Sequence, residues 1–381
     1  MGDNSRIGWT NATWNCIIGC SRVGDPDEDG CAGCYAIGQV ARGMSIQHRG
    51  MTVKVDGERV DWTGEVRYVP HLVDQPWRWR SKPRMIFVNS LSDLFHPNLA
   101  NQVHVPLDAD GRPGAPYRVL ARIVAEMVRC PMHTFQVLTK RPRLMADTLG
   151  EPAFRRQVHE QLQILGHPGL PPEMLTGFQA PWPLHIWWGT SIERDKYVFR
   201  ANHLRRIQGV RWISAEPLLE PLPSLDITGI SWVVVGGESG GRARPMHPDW
   251  ARDLRDRCAD RWHPAYDSEL GGSVLELLDK PRAAFFFKQW GSWWPNGQTL
   301  PEDVDPKSAK KLVSVRGTTI TRAELDAQMA ALGAGQDTSA WDVRNGDELT
   351  GIHRIAKDAE GHDVLDGRHH HEYPDPQGAL R

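Results

Sequence analysis

Four cysteines fall within nineteen residues: Cys16, Cys20, Cys31 and Cys34, in the spacing C-x3-C-x10-C-x2-C. Thiols gathered this closely point to a shared ligand. A structural zinc takes four closed tetrahedral ligands, and four thiolates are present. An iron–sulfur cluster held by three cysteines leaves one iron open for a substrate or cofactor. A disulfide pair fits poorly, because the N-terminus MGDNSRIG has no signal-like apolar region and Cys130 and Cys258 read as core thiols. Spacing alone leaves zinc and cluster both open. The run YAIGQVARGM begins at Cys34 and reads as a short helix, which would turn its N-terminal amides toward the sulfurs.

A second set of reactive side chains recurs after short apolar runs. These are Asn89, Ser90 and Asp93; Lys140 and Arg141; Ser191 and Glu193; Glu216; Gly236, Gly237 and Glu238; and Lys288 and Gln289. Any one such tip is explained by a helix cap or a solvated loop. Six together predict a large polar ligand in a common mouth. Glu193 and Glu216 could do acid–base work or bind ribose hydroxyls or an amino group. The Gly236-Gly237 pair would let backbone amides approach a ligand. GGESG is not a dinucleotide fingerprint, and neither a P-loop nor HExxH occurs.

The elements that would carry these tips alternate strand and helix. Apolar runs at 84–90, 134–142, 185–193, 211–217, 231–240 and 283–291 read as strands, with helices at 116–130, 152–166, 196–207 and about 248–262. One further strand before the cysteines brings the count to about seven. The near-continuous apolar runs suit strands covered on both faces, so the fold class is α/β, a full or partial parallel (β/α) barrel. Residues 47–83 read as irregular. The expected division is 1–291 for the barrel with its cysteine loop, and 292–381 for a C-terminal extension with a polar helix at 320–335. The triple histidine at 369–371 continues into EYPDP and is not a tag.

The chain has 381 residues, a formal net charge of −2 and 24% charged residues. No apolar run reaches membrane-spanning length, so the expectation is a cytoplasmic protein. No global positive field announces a nucleic-acid partner. The stretch 77–82, WRWRSK, fits a backbone groove with stacking rings, or a loop with its tryptophans tucked under the barrel. His96, His104 and His247 lie near prolines and read as structural histidines with catalysis as the alternative.

A cysteine loop, a helix and a β/α barrel with polar tips resemble the radical S-adenosylmethionine (SAM) superfamily. The usual spacing there is C-x3-C-x2-C; Cys16-x3-Cys20 matches only its first part, and ten residues intervene before Cys31-x2-Cys34. More specifically, WTNATWN, GCAGCYA, NSLSDLFHP, VLTKRP, WWGTSIE, ISAEPLL, WVVVGGESG, FFFKQWG and the terminal LDGR…EYP are similar to a phage and prophage family of unknown function with a three-cysteine motif. That resemblance implies Cys20, Cys31 and Cys34 as ligands of a [4Fe–4S] cluster, with Cys16 spare. It implies a radical SAM enzyme that cleaves SAM and abstracts hydrogen from a nucleotide or nucleic-acid base. Asn89, Ser90, Asp93, Ser191, Glu193, Glu216, Gly236 and Gly237 would bind SAM, while Glu238, Lys288 and Gln289 would face the substrate. An electron donor such as flavodoxin or ferredoxin would be needed, in the host cytoplasm if the chain is phage-encoded. The alternative function is a zinc-stabilised nucleic-acid-binding or phage interaction protein without catalysis.

Overall fold

The computed structural model describes residues 5, 7–43, 45–57, 59–176, 180–240, 242–259 and 283–295, then short segments at 311–314, 319–321, 323–324, 341–342, 347–354, 363–366 and 368–374. Seven parallel strands form the central sheet in sequential order: β1 (Ala12–Trp14), β2 (Met85–Val88), β3 (Thr134–Thr139), β4 (Ile186–Ser191), β5 (Val210–Ala215), β6 (Trp232–Gly236) and β7 (Ala284–Gln289). Between them run α1 (Tyr35–Ala41), α2 (Val119–Val128), α3 (Pro142–Gly150), α4 (Pro152–Ile164), α5 (Phe199–Leu204) and α6 (Pro248–Ala259). The link from β5 to β6 carries no helix. Among the described residues no helix is long and apolar enough to cross a membrane.

The sheet curls into a half-barrel, and one ring shows why. Phe87 on β2 and Trp232 on β6 are four strands apart, roughly 19 Å in a flat sheet. Yet the Trp9 ring centroid lies 4.8 Å from Phe87 and 6.0 Å from Trp232. Only a sheet wrapped around Trp9 brings both to it. Trp187, Trp212 and Phe286 complete this aromatic filling of the concave face. Trp9, Trp187, Trp212 and Trp232 are therefore packing. Alternate residues such as Ile86, Val137, Trp188 and Val233 point the other way, into a larger core under the helices.

Gly189 on β4 leaves the space that the Trp212 indole occupies. A Cβ there would lie 2.3 Å from the indole Nε1. Trp212 is fully buried and its Nε1 donates to the Val137 carbonyl at 3.0 Å, so it has little room to move. Gly189→Ala is expected to lower stability by about 1–3 kcal/mol, read as a shift in denaturation midpoint. An unchanged midpoint would show that the concave face is loosely packed.

Several elements differ from the sequence reading. Helix α3 begins directly after Lys140 and Arg141, with Pro142 as its first residue; a proline there starts a helix as readily as it ends a strand. Residues 47–83 include an antiparallel hairpin, Thr52–Val55 with Arg59–Trp62, and a short helix at Gln75–Arg78. The expected helix at 320–335 lies mostly outside the described residues, and Ile320 and Thr321 belong to the strand Thr319–Thr321. Trp77 in the WRWRSK stretch packs against the core and holds Arg80 and Arg129 on its ring at 5.1 and 4.5 Å. Arg84 and His133, which flank this stretch, precede β2 and β3, so it lies at the end of the sheet opposite the strand tips.

After β7 the chain forms a second, antiparallel sheet beginning at Trp293–Pro295. Residues 370–372 then return to β7. The Phe287 amide donates to the His370 carbonyl (2.8 Å) and the Glu372 amide to the Phe285 carbonyl (3.2 Å), covering the outer edge of the half-barrel. Asp366 fastens this segment to α6 through Arg252 and Arg255, each at 2.6 Å.

Candidate metal or cofactor centre at the strand tips

Cys16 follows β1 directly and is fully buried in the main core. Burial drives its thiol far above the ordinary range. The other three cysteines separate from it. Cys20, Cys31 and Cys34 line a cavity of about 160 Å³ together with Asn89, Ser90, Asp93, Lys140, Arg141 and Ser191. These are the ends of β2, β3 and β4, so the cysteine loop sits on the carboxyl edge of the sheet.

Burial, with Asp93 adding and Arg141 opposing, pushes the Cys20 thiol up to about 12. Burial and the neighbouring Cys31 raise Cys34 as well; the amides of Ile37 and Ala36 at the start of α1 and the Lys140 charge work against them. Those two amides face the Cys34 sulfur without a formed capping bond. Burial of this kind disfavours the thiolate unless a cation or hydrogen-bond donors offset it.

The loop is seated by glycines and arginines. A Cβ on Gly30 would lie 3.0 Å from the Glu193 side chain, and one on Gly33 2.5 Å from Glu238, so both approach strand-tip carboxylates that other residues would displace. Arg244 donates to the Glu238 carboxylate (2.7 and 2.8 Å) and to the Asp29 carbonyl (3.2 Å). Asp29, wholly covered by its neighbours, pairs with Lys196 (2.8 Å) and Arg194 (3.4 Å) and accepts from the Tyr197 hydroxyl. Arg22 pairs with Asp61 at 2.8 Å and donates to the Cys31 carbonyl. The insert 23–30 is thus a tether that carries Cys31 and Cys34 across the mouth.

Asn89 stands out among the lining residues. It has φ +60°, is 3% exposed, and neither side-chain atom has a partner. A buried amide without partners costs about 1–3 kcal/mol, so the site holds an unmet donor and acceptor beside the sulfurs. Two polar tips beside it, Asp93 and Ser90, are already paired. Asp93 accepts from Arg141 (2.7 Å), the Thr139 hydroxyl (2.6 Å) and the Phe95 amide (2.9 Å). Ser90 donates to Asn15 (3.1 Å).

Glu193 is fully buried between Arg200 (2.9 Å) and Lys140 (2.8 Å); the latter is an ion pair whose alignment falls short of a hydrogen bond. Burial would raise its carboxyl, but these two cations hold it below the usual range. Glu216 pairs with Lys288, Glu238 with Arg244, and Gln289 donates to Ser239 (3.1 Å). Gly236 gives room to the Glu216 side chain and Gly237 to the Trp290 carbonyl, so these glycines admit protein atoms.

The structure therefore gathers Cys20, Cys31, Cys34, Asn89, Ser90, Asp93 and Ser191 around one cavity. Glu193 lies beneath the loop, and Glu216, Gly236, Gly237, Glu238, Lys288 and Gln289 are not among the lining residues. Sequence reasoning missed Asp29, Arg200 and Arg244. It passed over the seating role of Arg141, whose Nη2 reaches the Ser21 carbonyl (3.0 Å) and whose Nη1 lies 3.9 Å from the Cys20 sulfur. The available signal was opposite charge at different tips: Asp93 with Arg141 and Lys140 with Glu193 on adjacent strands, and Glu216 with Lys288 two strands apart.

Two of the noted histidines are helix caps. His96 Nδ1 accepts the Asn98 amide (3.2 Å) and its Nε2 meets the Ser21 hydroxyl (2.8 Å). His247 Nδ1 accepts the Asp249 amide (3.1 Å). Burial pushes the His247 imidazole down to about 4, Asp249 opposing and Arg252 adding. Unfolded, it would take a proton near 6.5. Stability from this group is therefore full above pH 6.5 and lost as pH falls toward 4, on the order of 3 kcal/mol. His247→Asn, which can still accept the amide, is expected to flatten the stability profile over that window. An identical slope in the variant would remove His247 as the cause.

No curated protein and no solved structure matches the chain. A family model described as "Protein of unknown function (DUF5131)" matches residues 4–374. The chain that places three of its cysteines on the tips of a parallel half-barrel thus belongs to the DUF5131 family.

Proposed function

We propose that the protein is a radical SAM enzyme, with Cys20, Cys31 and Cys34 as the ligands of a [4Fe–4S] cluster. The observation that carries this reading is the separation of the four cysteines: three line one cavity at the strand tips and the fourth is sealed in the core. Three thiolates leave one iron without a protein ligand.

The residues present fit such a group. Cys20, Cys31 and Cys34 would hold it, and the unpartnered Asn89 amide would meet polar atoms of a molecule bound beside it. When bound, the cluster would supply the electron that cleaves the SAM sulfonium and so starts hydrogen abstraction. Phe87 and Leu138 in the lining keep that end of the cavity apolar, which limits water. At 160 Å³ the cavity suits a compact inorganic group. A nucleoside-sized ligand, which takes about 300 Å³ or more, would extend past the rim toward the Glu216–Lys288 pair.

Anaerobic reconstitution with iron and sulfide tests the reading. The expected result is a brown protein with about four irons per chain that converts SAM to 5′-deoxyadenosine under reducing conditions. A colourless protein holding stoichiometric zinc on its thiols would overturn it. A brown protein that leaves SAM intact would retain the cluster and refute the SAM chemistry.

A further inference from the structure

We propose that Asp363, His369 and His371 form a binding site for a borderline divalent cation of the zinc class, which fastens the returning terminal segment to the open edge of the half-barrel. Asp363 Oδ2 lies 3.3 Å from His369 Nδ1 and 3.2 Å from His371 Nε2, and the three ligand atoms are all within 4.8 Å of one another. Backbone geometry explains the convergence. The antiparallel pair Val364–Leu365 and Arg368–His369 brings Asp363 back beside the second strand. His369 and His371 are two apart on an extended segment, so their side chains share a face. His371 is also held from the other side. It bridges Phe286 on β7, and its ring stacks on that phenylalanine at 4.6 Å and 13°. Its orientation is therefore set by the central sheet as well as by the hairpin.

The chemistry of the trio favours a metal. Two imidazole nitrogens face a single carboxylate oxygen, and among the described residues Asp363 pairs with no lysine or arginine. Two nitrogens and one oxygen suit zinc, nickel or copper(II) better than magnesium or calcium. Three protein ligands leave room for water on the ion. The side chains are 24%, 60% and 41% exposed, so an ion can enter without unfolding the segment. Phe286 precedes Lys288 by two residues, which sets the trio about 7 Å back from the mouth along β7. It shares no residue with the lining of the cysteine cavity.

The test uses the full chain carrying Cys20→Ser, Cys31→Ser and Cys34→Ser, stripped with chelator and then given zinc sulfate, with magnesium as control. The expected result is one equivalent of bound zinc and a rise of several degrees in Tm at a hundredfold excess over Kd, with no response to magnesium. Asp363→Asn and His369→Gln should each weaken zinc binding at least tenfold and remove the rise in Tm. No bound zinc in the serine chain, or equal affinity in both further variants, would overturn the proposal. If the serine chain does not fold, cobalt(II) added to the otherwise native chain decides. A d–d component without thiolate charge transfer that vanishes in Asp363→Asn supports the site. A spectrum unchanged by that substitution overturns it.

Discussion

Replacing Cys31 with alanine is expected to remove iron, colour and SAM cleavage together, whereas Cys16→Ala keeps all three. The contrast follows from where the sulfurs lie. Cys31 lines the cavity, and its sulfur accepts the Val23 amide at 3.5 Å within the tethered insert. Cys16 is enclosed by the main core, where deleting its sulfur leaves a small void and costs about 1 kcal/mol. Iron and sulfide counts on the two variants, reconstituted side by side, check the prediction. Iron loss in Cys16→Ala equal to that in Cys31→Ala would show that the ligand set is wrong. Retention of a full cluster in Cys31→Ala would show the same from the other direction.

The largest effect on stability is expected at Glu193. Glu193→Gln leaves Lys140 and the fully enclosed Arg200 facing a neutral amide in a site with little water. Breaking one side of a buried ion cluster costs about 3–5 kcal/mol. Lys140→Met added to Glu193→Gln should recover part of that loss, because one of the two stranded cations is then gone. Denaturation midpoints with unchanged m-values measure both steps. A loss under about 1 kcal/mol for Glu193→Gln would mean that water relieves the cations and the tip is open.

Much of the strand pattern was legible because each strand is an apolar run ending in polar residues. A strand such as WVVVG is buried on both faces, so its hydrophobicity is continuous and its end is abrupt. The separation of Cys16 from its three neighbours was also within reach, since the resemblance named it spare. The pairing at the tips was not. Whether Glu193 binds a ligand or a lysine depends on which strand lies beside it, and Lys140 sits 53 residues earlier in the chain. Residues 23–30 posed the same difficulty. They are acidic and polar, like a solvated loop, yet Asp29 is buried because Arg194, Lys196 and Tyr197 arrive from beyond β4. Helix α3 was hidden by Pro142, which reads as punctuation in the one-dimensional string.

The seating of the cysteine loop also sets an order of events during synthesis. Cys20 leaves the ribosome early, but the guanidinium beside it belongs to Arg141, and the last clamp on the insert to Arg244. At roughly 5–20 residues per second, translation needs about 10–45 s to travel from Cys20 to Arg244. For that interval the three thiols are unguarded by the groups that later enclose them. Delivery of any ion or cluster to a finished pocket must therefore wait until most of the half-barrel has emerged, and a carrier acting sooner would meet only a flexible thiol-bearing peptide.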